Sequence, residues 1–267
     1  MSGNLSSIHP KARIGKNVEI GPFVTIYEDV EIGDGTVLLP NCTIMSGARI
    51  GKNCKIYPGA VISADPQDLK YSGEVTLVEI GDGTVVRECA TLNKGTKASG
   101  KTAIGKDCLI MAYAHIAHDC MIGNNCVIAN NAALAGHIEV GDWAVLGGVT
   151  AVHQFVKIGQ HAFVSGGSLV GKDVPPFVKA ARTPLSYIGI NSIGLRRRGF
   201  NEDRINMIHD IYRLIFVVNH NTSKALSSVE SEFEPSEDRD LILNFIRNSE
   251  RGIMKGFANL NYDYPVE

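Results

Sequence analysis

From Ile8 to Val170 every sixth residue is aliphatic: 25 of the 28 positions on this grid are Ile, Leu or Val, and only Asp68, Glu74 and Ala98 depart from it. A second grid lies four residues further on. Its occupants are small or β-branched, as at Val18, Val24, Thr36, Cys42, Ala48, Cys54, Ala60, Cys108, Ala114, Cys120, Cys126 and Ala132. A helix repeats near 3.6 residues and an amphipathic strand at two, so neither turns each sixth residue inward. Hexapeptide repeats of this kind wind a parallel β-helix, three hexapeptides to a triangular coil of about 18 residues. The aliphatic residue fills the axis and the small one fits the narrow space beside it. Corners often open on Gly, as in IGDGT at 32–36 and again at 80–84.

The second grid also disposes of the cysteines. Five of the six, Cys42, Cys54, Cys108, Cys120 and Cys126, lie on it, only Cys89 is off it, and there is no CxxC pair. Free cysteine behaves as a small buried hydrophobe, so neither a disulfide framework nor a thiolate metal site is expected. With 44% hydrophobic residues the chain has ample core material, and a net charge of −2 argues against a nucleic-acid partner. No apolar run approaches the ~20 residues of a membrane span and the opening MSGNLSSIHPKARIG has no apolar signal core, so a cytoplasmic protein is expected.

The regular repeat ends near Val174, where Pro175-Pro176 lacks amide donors and is expected to break the ladder. The expected division is a β-helix over 1–190, with loops inserted at 65–77 and 94–101, and a C-terminal helical domain over 191–267. Residues 175 to 200 read as a connector with a short helix around 191–199. Further helices are predicted from Asn201, then over 222–233 and 236–250, opened by Thr222 and Ser236. The ending NLNYDYPVE reads as a loose tail. If the insertions replace whole numbers of repeats, counting by coils places Ile62, Ile80, Ala98, Ile116, Leu134 and Val152 on one corner row, and both insertions leave from the same edge. Irregular segments in a rigid solenoid are where function is carried.

Four of the eight histidines fall beside that row: His115, His118, His137 and His153. They occupy three successive coils at about 4.8 Å per step, close enough for one ligand to meet all of them. A lone histidine at a turn is ordinarily solvated; four on one row are harder to dismiss. His118 is followed by Asp119, and a carboxylate beside an imidazole fixes its tautomer and raises its basicity, which makes His118 the candidate general base. Asp119 as an ordinary turn aspartate is the alternative. No GxSxG elbow or paired Cys or Ser nucleophile is present, so direct attack is favoured over an acyl-enzyme. Gly147-Gly148 and Gly166-Gly167 are expected close to the histidines, where bare backbone admits an acyl chain or donates to an oxyanion, unless they are plain corners. Arg196-Arg197-Arg198 offers phosphate-binding guanidinium groups or a face for an acidic protein, or else a solvated basic turn.

AHIAHDC, followed in order by NNAALAGH, GGVTAVHQF, DVPP and GLRRRGF, closely resembles the bacterial acyl-acyl-carrier-protein:UDP-N-acetylglucosamine O-acyltransferases, which begin lipid A synthesis, over nearly the whole chain. The resemblance implies a left-handed parallel β-helix, an exception to the right-handed crossover, assembled as a homotrimer with active sites in the clefts between subunits. It implies His118 as catalytic base with Asp119 as its partner. His115, His137 and His153 would line the cleft, with Gln154 near the nucleotide. Gln67, Asp68 and Lys70 would bind the sugar nucleotide, and Asn191, Arg197 and Arg198 the nucleotide and phosphates. Gly148 would lie along the substrate cleft and Gly166 would set how far the acyl chain runs. The partners implied are acyl carrier protein and UDP-N-acetylglucosamine; no cofactor and no metal is called for. Asn93 stands where some members have histidine and Ile193 where some have glutamate. Rival readings are a trimeric zinc carbonic anhydrase on the same scaffold, the later N-acyltransferase of the pathway, and a non-catalytic solenoid.

Overall fold

The computed structural model describes residues 5–218 and 221–256; the ending NLNYDYPVE lies outside the described residues. Among the described residues, short strands, most of two residues, recur every hexapeptide and stack, in parallel but for one pair, into three sheets of nine (sheet A), eight (sheet B) and eleven strands (sheet C). The chain visits them in the order A, B, C and so winds a triangular prism, the left-handed parallel β-helix expected. The six-residue grid lines its axis: Ile26, Ile44, Ile62, Leu92, Ile116, Leu134 and Val152 stack in sheet A with at most 3% exposure. The offset grid explains its own composition. Thr36 Oγ1 donates to the Gly51 carbonyl at 2.9 Å, and the thiols of Cys54, Cys108 and Cys126 point at the carbonyls of Gly81, Gly123 and Gly141 at 3.1–3.2 Å. A small side chain with a donor both fits the corner and satisfies a carbonyl there.

Registers correct one expectation. Ile62 pairs with Leu92 and Leu92 with Ile116, separations of 30 and 24 residues against the 18 between Ile116 and Leu134. The insertions therefore add two hexapeptides and one to their coils; whole hexapeptides keep the grid in phase, but the coil is longer. Ile80 consequently pairs with Ile50 and Ile104 in sheet B, and Ala98 lies in a loop. Both insertions still leave from the A–B edge, one between the strands Val61–Ala64 and Leu77–Ile80, the other between Thr91–Asn93 and Lys101–Ile104.

The three outer faces differ. Outward positions of sheet A run Thr25, Thr43, Val61, Thr91, His115, Ala133, Ala151 and Leu169. Those of sheet C run Glu19, Val37, Lys55, Val85, Leu109, Val127, Val145, Phe163 and Lys179, apolar over the five coils from Val85 to Phe163. Sheet B instead carries charge, with ion pairs Arg49–Glu31, Lys101–Glu79 and Lys157–Glu139 at 2.8–3.3 Å.

The ladder does not stop at Pro175-Pro176. Val178–Ala181 adds to sheet C beside Phe163–Val164, and Ser186–Ile190 returns antiparallel to it, so the connector carries two strands before its short helix. The prolines fall at a corner, where the missing amide is not needed by the ladder. Helices α1 (Ser192–Arg197), α2 (Glu202–Arg213), α3 (Thr222–Glu232) and α4 (Glu237–Arg247) follow, with a π-helical turn over Leu214–Val218. Their N-caps are Asn191, Asn201, Asn221 and Ser236, each accepting a backbone amide; Asn221, not Thr222, opens α3. Tyr212, fully buried, fastens α2 to the last coil by donating to the Pro176 carbonyl at 2.6 Å.

Candidate active site

Two successive A-to-B corners and two insertions converge on His118 and Asp119. His118 follows the sheet A strand His115–Ile116 and His137 follows Ala133–Leu134, one coil on. Asp119 and His137 both sit at corners in the left-handed region, at φ +61°; an aspartate tolerates this better than most residues. The Asp119 side chain is completely buried and that of His118 is 5% exposed.

Asp119 is more than a turn residue. It accepts the Thr96 amide at 2.9 Å, the Thr96 hydroxyl at 2.8 Å and the Ser99 hydroxyl, all from the second insertion, and lies 2.8 Å from His118 Nδ1. Burial alone would raise its carboxyl, but the hydrogen bonds from Ser99, His118 and Thr96 outweigh it and bring the pKa down to about 2. An ionised carboxylate only accepts, so Nδ1 of His118 carries a proton, and in the neutral imidazole the lone pair is on Nε2. Nε2 faces the first insertion, where Asp68 Oδ2 lies 4.0 Å away.

His137 stands edge-on to His118, ring centroids 5.1 Å apart, and is stacked on Phe155 at 4.6 Å. Its Nε2 is 3.6 Å from Asp119. The donor atoms of His118, Asp119 and His137 lie within 4.8 Å of one another, close enough for a metal, yet both Asp119 oxygens already accept hydrogen bonds from the protein. His115 is held by Thr91 Oγ1 at 2.7 Å, and burial together with neighbouring His118 lowers its pKa, so it is neutral near pH 7. His153, one coil beyond His137, is exposed, with Nδ1 3.2 Å from the Gln154 carbonyl. Gln67 and Lys70 are exposed on the first insertion, where Asp68 accepts the Lys70 amide at 2.9 Å.

The expected glycine pairs are elsewhere. Gly147-Gly148 and Gly166-Gly167 follow sheet C strands, at the C–A edge, because three hexapeptides separate successive corners of one edge. The glycine beside the imidazole is Gly136, where a Cβ would stand 2.4 Å from His118 Cε1. Thr96, Ser99 and Gly136 were not predicted; which insertion residue meets which corner depends on a register that the periodicity leaves open.

Asn191, Arg197 and Arg198 gather on the B–C side, in a groove of about 550 Å³ with Trp143, Lys179 and Ile193. The Asn191 amide caps α1 and donates to the His161 carbonyl at 2.9 Å. Arg198 lies over the Trp143 ring, 5.2 Å from its centroid, Arg197 is exposed, and Arg196 is paired with Glu202 at 2.6 Å. A larger groove of about 730 Å³, between the charged face and α4, contains none of the predicted site residues.

The model of the second domain of UDP N-acetylglucosamine O-acyltransferase matches residues 173–254, and that of the bacterial transferase hexapeptide matches 11–44, 29–64 and 101–136. An acyl-[acyl-carrier-protein]–UDP-N-acetylglucosamine O-acyltransferase of Thiobacillus denitrificans is 45% identical over 93% of this chain and 96% of its own, and one of Janthinobacterium sp. is 44% identical over 93% and 97%. Among solved structures, the UDP-N-acetylglucosamine acyltransferase of Bacteroides fragilis superposes with a TM-score of 0.94 at 47% identity, covering 96% of this chain and 100% of that one.

Proposed function

The chain belongs to the acyl-[acyl-carrier-protein]–UDP-N-acetylglucosamine O-acyltransferase family, and from that premise we propose that it moves a 3-hydroxyacyl chain from acyl carrier protein to the 3-hydroxyl of UDP-N-acetylglucosamine, the first step of lipid A biosynthesis. The observation that carries the mechanism is the 2.8 Å contact between His118 Nδ1 and an ionised Asp119, which leaves Nε2 as the base. Nε2 takes the proton of the sugar 3-hydroxyl as its oxygen attacks the thioester carbonyl carbon. The tetrahedral intermediate collapses, the C–S bond breaks, and the imidazolium returns the proton to the departing thiolate. Asp119 stabilises that imidazolium. Burial pushes the thiols of Cys42 and Cys120 up to about 11 and about 12, so neither supplies a nucleophile near pH 7, in keeping with direct attack.

The proposed assembly is a homotrimer. Its support is the contrast between faces: A, and C from Val85 to Phe163, are short of charge and fit an interface, whereas B is lined with ion pairs and fits water. Packing face A of one subunit on face C of the next around a threefold axis puts the C–A edges at the centre. The outer mouth of each cleft then brings together His118 of one subunit and the groove of Asn191, Arg197 and Arg198 of its neighbour. Gln67, Asp68 and Lys70 close over the sugar nucleotide, and the acyl chain runs inward past His115 and His153 towards Gly148 and Gly166. The proposed location of the reaction is the cytoplasm. No described helix is long and apolar enough to cross a membrane.

His118→Ala tests the assignment of the base. It is expected to keep the fold and lose turnover by ~100-fold or more, and retention of more than about a tenth of the rate removes His118 from that role. The rival zinc reading predicts stoichiometric metal whose removal abolishes activity.

A further inference from the structure

We infer that the second insertion is a positioning element for the reaction, with Thr96 and Ser99 holding Asp119 in the orientation and charge state that His118 requires. The inference rests on His118 acting as the base. Asp119 stands at a corner where its own segment supplies one partner for the carboxylate, His118 Nδ1, and the other groups that satisfy it come from residues 96–99, 20 to 23 positions earlier in the chain: the Thr96 amide and hydroxyl and the Ser99 hydroxyl. Ser99 Oγ accepts the Lys101 amide at 3.5 Å, and Thr96 Oγ1 also accepts the Ala98 amide at 3.2 Å. The extra hexapeptide is therefore folded around the carboxylate. It consumes the acceptor capacity that would otherwise let Asp119 rotate away from Nδ1 or draw water. Neither residue touches His118 in the hydrogen-bond network, so both act through Asp119.

Ser99→Ala and Thr96→Val remove one hydroxyl each, and Ser99→Thr and Thr96→Ser restore it. Steady-state kinetics are measured for all four alone, and for the first two in an Asp119→Asn background, with His118→Ala alongside. The expected result is a fall in kcat of roughly tenfold for each deletion, nearly unchanged KM for both substrates, recovery in the conservative variants, and little further loss once Asp119 is Asn. Wild-type kcat in Ser99→Ala and Thr96→Val, or the same fractional loss with and without Asp119, overturns the inference. If His118→Ala remains active, it is the assignment of the base that fails, whatever Ser99 does.

Discussion

His118 and Asp119 were legible because they are neighbours in the chain, and an imidazole beside a carboxylate has a chemical meaning at any register. Thr96, Ser99 and Gly136 were not: each matters only through a contact across coils, and insertions of two and one hexapeptides shift those contacts without disturbing the six-residue phase. The Asp119 network has a consequence for acid stability. Its carboxyl, ordinarily at 3.8, is held at about 2 in the folded protein. A depressed folded pKa contributes stability that is present above the unfolded value and is lost as pH falls through the folded one. Between about pH 4 and pH 2, Asp119 should thus give up about 2 kcal/mol. Urea unfolding at fixed protein concentration checks this: the stability advantage of wild type over Asp119→Asn should shrink by that amount across the window. An advantage that stays constant to pH 2 would show that the carboxylate is not stabilised by its partners.

At the scale of elements, the strands were legible in detail because a six-residue period admits few folds. The segment after Val174 was harder to read. Proline was expected to end the ladder, yet Pro175 and Pro176 sit at a corner and sheet C continues through Val178–Ala181. α2 was found by its Asn201 cap and apolar spacing and α4 by its Ser236 cap, whereas the cap of α3 is Asn221 rather than Thr222 and the π-helical turn at Leu214–Val218 carries no comparable signal. What joins the helices to the prism is partly a single buried hydroxyl. Tyr212→Phe deletes its hydrogen bond to the Pro176 carbonyl and should cost about 1 kcal/mol in urea unfolding. An unchanged stability would mean that this bond contributes nothing net.

At the scale of the whole molecule, the predicted site residues fall on three different edges of one prism. His118, Asp119, His137 and Asp68 meet at the A–B edge, Gly148 and Gly166 lie at the C–A edge, and Asn191, Arg197 and Arg198 gather on the B–C side. A single chain leaves the proposed base and the proposed phosphate-binding groups apart; in the proposed ring of three identical chains the A–B edge of each would meet the B–C side of its neighbour. Mixed trimers give the most direct test. His118→Ala and Arg198→Ala chains, each nearly inactive alone, are co-refolded or co-expressed in equal amounts and assayed together. If a site takes His118 from one subunit and Arg198 from the next, random assembly restores about a quarter of the wild-type sites, and activity should return to that level. Activity no greater than the sum of the two separate variants would contradict the shared cleft.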